Sequence, residues 1–159
     1  MRGLRGGTLI AAVLVVAMTA GAAVACDAPG GAAGLRQGVI GWINDSRRAK
    51  GLPALKASAA LQASATAHAC DMAGRGYFSH EGPGGPSFSR RLKKAGYRFR
   101  AANENIAKTQ AASVGSVIGI WQDSSLHWAN VLDPKVRDVG LGIAEAGGRV
   151  YWVMNAGAD

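Results

Sequence analysis

The end of the chain constrains its fold most. Val136 to Ala144 is rich in Val, Leu and Ile and reads as a strand. Gly147-Gly148 is a hairpin turn signal, and Val150 to Met154 returns with Tyr151 and Trp152. Two apolar strands joined by a tight turn form a small antiparallel sheet whose faces must be covered.

The covering elements come earlier. Leu35, Val39, Ile40 and Ile43 fall on one helical face, with Arg47, Arg48 and Lys50 near its end and Gly51 and Pro53 as stops. A second helix is expected from Ser58, its cap, to Ala73. Its stripe of Leu61, Ala65, Ala69 and Met72 is mostly alanine, which predicts a large partner packed closely against it. Gly74 and Gly76 end it. Phe78 to Ser87, rich in Gly and Pro, reads as a loop. Ser87 to Ala95 reads as a short basic helix with Phe88, Leu92 and Ala95 inward and Gly96 as terminator. Tyr97, Phe99 and Ala101 alternate, which suggests extended chain, and Ser113 to Gln122 reads as a helix. Helices first and a hairpin last predict an α+β fold, with helices covering a small antiparallel sheet. There is no internal repeat: residues 35–159 read as one domain, preceded by an irregular Gly-, Ala- and Pro-rich leader over 26–34.

The start of the chain bears on compartment. Arg2 and Arg5 precede an apolar run from Leu9 to Met18, and small residues follow, ending Ala23-Val24-Ala25. A basic start, an apolar stretch and an A-x-A site are the parts of a secretory signal, here residues 1–25. The run is shorter than the roughly 20 residues that a membrane span needs. A secreted or periplasmic protein follows, with no transmembrane segment after the signal is removed. Acylation at Cys26 is disfavoured, because Ala23 stands where lipoproteins usually carry a large aliphatic residue. The formal charge of +8 falls by two, to +6, when Arg2 and Arg5 leave with the signal. About 130 residues remain, enough for a substantial core. The two cysteines, Cys26 and Cys70, are then expected to be bridged. Such a bond closes a loop of roughly 45 residues and contributes roughly 3–4 kcal/mol through chain entropy.

Three histidines and one acid stand out. His80 ends Tyr77-Phe78-Ser79-His80, Glu104 lies in Asn103-Glu104-Asn105-Ile106-Ala107, and His127 follows the helix carrying Trp121. These segments carry a family likeness. Phe78-Ser79-His80, Asn103 to Ala107, Trp121-x-x-Ser124-x-x-His127-x-x-Asn130-Val131-Leu132, Val139-Gly140-Leu141-Gly142-Ile143 and Tyr151-Trp152-Val153 together resemble the bacterial branch of the CAP superfamily, the cysteine-rich secretory, antigen 5 and pathogenesis-related proteins. Asn44 with Arg47, Leu55, Leu61 and His68 to Ala73 resemble that family's first two helices. The likeness covers Leu35 to Gly157. It implies an α-β-α sandwich and a cleft lined by two histidines and two acids. His80 matches the first histidine, Glu104 the first acid and His127 the second histidine, whereas Ser124 stands where the second acid is expected. The Gly that often precedes the first acid is Asn103 here.

Such a cleft has three chemical readings. His80, Glu104 and His127 could hold zinc, with one coordination position open. Ser124 or Ser125 could act as nucleophile with His127 as base and Glu104 as orienter. Or the cleft, His80, Glu104, Ser124 and His127, could bind a ligand without reaction. The absent second acid favours the last, a binding module of the envelope or extracellular space, with a metal-dependent or serine-type hydrolase as the rival. His68, beside the apolar stripe, reads as a structural residue at the helix boundary. Trp121 and Trp152 read as core, while Trp42 and Trp128 stay open. Arg90, Arg91, Lys93, Lys94, Arg98 and Arg100 read as a solvated face, or else as a docking face for an anionic envelope lipid or glycan. Nucleic acid is disfavoured by export and by the lack of a stacking platform.

Overall fold

The computed structural model describes residues 26–159, so the signal expected over 1–25 lies outside the described residues. Helix α1 (Ala32–Ala49) opens the fold, followed by the short strand β1 (Lys56–Ala57), α2 (Ala59–Arg75) and α3 (Phe88–Lys94). Strand β2 (Ala101–Thr109), α4 (Val114–Asp123) and α5 (Ser125–Val131) come next, and β3 (Asp138–Ala146) and β4 (Arg149–Ala158) end the chain. The sheet order is β1-β3-β4-β2.

The expected hairpin is the centre of the sheet. Strands β3 and β4 pair antiparallel with Ile143 opposite Trp152, across Gly147 and Gly148 at φ 56° and 66°. Positive φ at both central residues matches the right-handed twist of the strands. Strand β2 pairs antiparallel with β4 and places Glu104 opposite Asn155. The sheet is not wholly antiparallel, because β1 pairs parallel with β3. Two residues give too short a pattern to read.

Alternation along β4 builds two cores. Trp152 and Met154 face α1 and α4, packing in one cluster with Val39, Ile43, Val117 and Trp121. Tyr151 and Val153 face α2, packing with Ala65, Ala69 and Met72. The result is the expected α-β-α sandwich. Trp121 and Trp152 are fully buried, and both indole N–H groups are satisfied: Trp121 donates to the Ile106 carbonyl at 3.2 Å and Trp152 to Thr109 Oγ1 at 2.9 Å. Trp42 and Trp128 pack on each other at the edge of the first core, their ring centroids 5.8 Å apart.

The alanine stripe of α2 meets a large partner, Tyr151 of β4, as expected, and beside it the helix lies against glycines of β3. A Cβ at Gly140 would collide with the backbone of Gln62, and one at Gly142 with that of Ala65. Missing side chains on both surfaces let the helix backbone lie directly on β3. Three other expectations need correction. The leader is irregular only through Gly31, since α1 already begins at Ala32. The first hairpin strand begins at Asp138, two residues after Val136. Helix α5 was not foreseen; Ser124 caps it by accepting from the His127 amide at 3.4 Å.

Cys26 and Cys70 are bridged, tying the leader to α2. The Asp27 carbonyl also accepts from the Glu145 amide at 2.7 Å, so the leader is held against β3 as well. Among the described residues no helix is long and apolar enough to cross a membrane.

Candidate functional site

The candidate site lies over β2, the edge strand of the sheet. The Phe78-Ser79-His80 segment approaches it from the α2 side and His127 of α5 from the other. Both histidines line one cleft of about 390 Å³, together with Phe78, Ile106, Lys108 and Ile120. Phe78 and Ile120 are exposed apolar residues at this cleft, and the Lys108 ammonium sits 5.3 Å from the centroid of the Phe78 ring.

Glu104 is the hub. It is buried on β2, and its carboxylate oxygens are taken up by neighbours. Arg91 Nη2 donates to Oε1 at 2.9 Å and to Oε2 at 2.8 Å. His80 Nδ1 lies 2.9 Å from Oε1. The Asn155 amide meets its surroundings best with its nitrogen toward Glu104, donating to Oε2 at 3.0 Å and accepting from Ser64 Oγ and the Ala65 amide. Arg91 also reaches the loop, donating through Nη1 to the His80 carbonyl at 2.9 Å and to the Pro86 carbonyl at 3.2 Å. One guanidinium therefore fixes both His80 and the acid beside it.

This corrects the reading of Arg91 as part of a solvated basic face. Arg90, Lys93, Lys94, Arg98 and Arg100 are exposed, but Arg91 is buried. Sequence reasoning also passed over Asn155 and Lys108. Neither carried a signal, since only strand pairing and loop placement bring them to the site.

His127 is half-buried, and its Nδ1 is buried without a hydrogen-bond partner. Burial pushes its pKa below the ordinary value and the neighbouring His80 charge adds to this, against the Ile120 carbonyl. His68 is more deeply placed than its boundary reading implied: it is buried, with Nε2 3.0 Å from the Ser79 carbonyl. Burial lowers its pKa too, so it is neutral at pH 7 and donates from Nε2 to that carbonyl. It is a structural tie between α2 and the His80 loop.

The residues picked for chemistry are only partly brought together. Glu104 bonds His80 and Arg91, not His127, and Ser124 Oγ bonds the His127 backbone amide rather than its ring. Ser124, His127 and Glu104 thus form no relay in this arrangement. Zinc fits the arrangement poorly as well, because Glu104 has no free oxygen to offer. Among the described residues no three His, Cys, Asp or Glu side chains are grouped to hold a metal ion.

A sandwich of this topology, with two histidines and a buried acid meeting at one sheet edge, defines a class. The sequence model of the cysteine-rich secretory protein family, CAP, matches residues 41–156, and the chain belongs to that family. It is 32% identical over 121 residues to the uncharacterized protein YkwD of Bacillus subtilis strain 168, covering 76% of this chain and 47% of that one. Its fold matches an extracellular protein containing an SCP domain from Bacillus anthracis, with TM-score 0.73 at 25% identity, over 80% of this chain and 41% of the other. It also matches an outer surface protein of Borrelia burgdorferi, with TM-score 0.68 at 18% identity, over 75% and 88% of the two chains. The chain spans under half the length of both Bacillus proteins.

Proposed function

We propose that this chain is an exported binding module whose ligand seats in the cleft between His80 and His127. The observation that carries the reading is the state of Glu104. Its oxygens accept from Arg91, His80 and Asn155, so the acid behind the cleft is committed to its neighbours rather than open to serve as general base or third metal ligand. What the cleft offers a ligand is two imidazoles, the Lys108 ammonium and the apolar surfaces of Phe78 and Ile120. That combination suits an anionic or hydroxyl-rich group carried beside apolar surface, as an envelope lipid or glycan presents. The exposed Arg90, Lys93, Arg98 and Arg100 support attachment to an anionic envelope polymer. Export is supported by the signal-like residues 1–25, by the Cys26–Cys70 bond and by the extracellular and outer-surface descriptions of the structural neighbours.

The test is co-sedimentation of the mature chain, residues 26–159, with purified cell-wall sacculi that retain their anionic polymers. Wild-type protein is expected in the pellet at low salt, and the His80→Ala, His127→Ala double variant is expected to remain largely in the supernatant. Equal sedimentation of the two would remove the cleft from the binding surface. The rival hydrolase keeps one supporting observation, that two imidazoles share a cleft. Stoichiometric zinc uptake in calorimetry, lost in the same variant, would favour it.

A further inference from the structure

Trp121 and Trp152 are buried with their indole N–H groups bonded, but the other two tryptophans are placed differently. Trp42 of α1 and Trp128 of α5 are half-buried, resting on the first core and partly open to solvent. Their ring centroids lie 5.8 Å apart and the ring planes are tilted by 42°. Among the described residues neither indole N–H meets an acceptor, and neither is a buried orphan, so both donors reach the surface. Two adjacent indoles with both N–H groups unspent suit contact with a ligand that has an apolar face and polar edges. The residues one helical turn away that reach the surface are Gly38, Asp45 and Ser46 on α1 and Ser124, Ser125 and Leu132 on α5. None of them is basic, and the one acid, Asp45, pairs with Arg48 at 2.9 Å. This face therefore carries no net charge on an otherwise basic chain.

We propose that Trp42 and Trp128 form a seat for an uncharged pyranose ring of a polysaccharide, separate from the histidine cleft. A β-linked pyranose with equatorial hydroxyls presents axial C–H groups on a flat apolar face and hydroxyls around its rim. The indole surfaces take the C–H face. The two indole N–H groups donate to rim hydroxyls, and Asp45 and Ser125, one turn from the rings, offer acceptors for others. Charge favours this occupant. A polyanion or an anionic membrane is drawn to Arg90, Lys93, Arg98 and Arg100, whereas the tryptophan face offers it no uncompensated cation. A neutral sugar needs none. The contact is small and weak by itself, and it does not depend on what the cleft binds.

The probe is chitohexaose, an uncharged β-linked chain of N-acetylglucosamine, titrated into residues 26–159 while tryptophan emission and heat are followed. A saturable change in emission is expected, since Trp42 and Trp128 reach solvent and Trp121 and Trp152 do not. Trp42→Phe with Trp128→Phe keeps apolar side chains on the core but removes both N–H donors, and should abolish the heat of binding. Asp45→Ala and Ser125→Arg change exposed positions outside the core, so each should weaken binding severalfold with the melting temperature unmoved. Inositol hexakisphosphate, a polyanion, should not displace the sugar. Neither heat nor emission change at the solubility limit of the sugar overturns the seat. Undiminished binding in Asp45→Ala, Ser125→Arg and the double phenylalanine variant places the sugar elsewhere and overturns it equally. Displacement by the polyanion overturns the neutral-ligand assignment. Self-association of the wild type, lost in the double phenylalanine variant and accompanied by no sugar response, overturns the sugar in favour of a second copy of the chain.

Discussion

Arg91 shows how a single residue organises the candidate site. Its side chain is 8% exposed and that of Glu104 3%, so this pair is an interior one. Removing one partner of such a pair leaves an uncompensated buried charge, which costs about 3–5 kcal/mol. Arg91→Met is therefore expected to lower unfolding free energy by about that amount in urea titration. Adding Glu104→Gln should recover part of the loss, because the stranded charge is gone; no recovery would mean that Arg91 acts through packing alone. The clue to Arg91 was present in the sequence. It lies three residues after Phe88 and one before Leu92, on the inward stripe of a helix read as basic outside. Charge type outweighed position in that reading, and the sequence does not say that an acid waits on the other side.

At the scale of elements, the decisive contact is α2 on β3. Gly140 and Gly142 are required for close approach and not for turning, since the backbone of α2 occupies the space a side chain would need. Backbone cannot swing aside as a flexible side chain can, so Gly142→Ala is expected to cost about 3 kcal/mol, the upper part of the usual overpacking range. Gly119 in α4 faces open space, and Gly119→Ala should stabilise by about 0.5–1 kcal/mol through helix propensity. Thermal melts of the two variants should move in opposite directions. A small shift for Gly142→Ala would mean that α2 can slide on the sheet. The alanine stripe was legible as a demand for close packing, which Tyr151 meets, but the glycines that bring β3 against the helix were not foreseen, because periodicity shows that a face is small and not all that it meets.

Across the whole molecule, the buried His68 and the half-buried His127 tie stability to pH. Burial lowers the pKa of both His68 and His127 from the ordinary 6.5. For His68, the nearby Glu104 and Asp71 charges and the Ser79 carbonyl oppose burial, and Arg91 reinforces it. The unfolded chain then binds more protons than the folded one as pH falls through 6.5 toward the lowered values. Stability is full above that window and declines within it. Melting temperature is therefore expected to fall as pH drops through 6.5, with the decline reduced in His68→Gln. An identical slope in that variant would assign the effect to other groups. The Cys26–Cys70 bond acts at the same scale, restricting the unfolded chain across a separation of 44 residues.

Sequence alone determined the α+β class, the central hairpin, the buried Trp121 and Trp152 and the pairing of the two cysteines. These follow from local periodicity, turn chemistry and an even count of thiols, all of which are written along the chain, whereas the three-layer sandwich was implied by the family resemblance. It also picked out His80, Glu104 and His127 through their motif order. Tertiary structure alone decided which of them touch. Glu104 pairs with Arg91 and His80, not with His127, because Glu104 points to the face of β2 that meets the His80 loop, while its neighbour Asn105 points to the face that meets α5. Contacts between residues distant in sequence depend on how elements stack, and no local pattern encodes that.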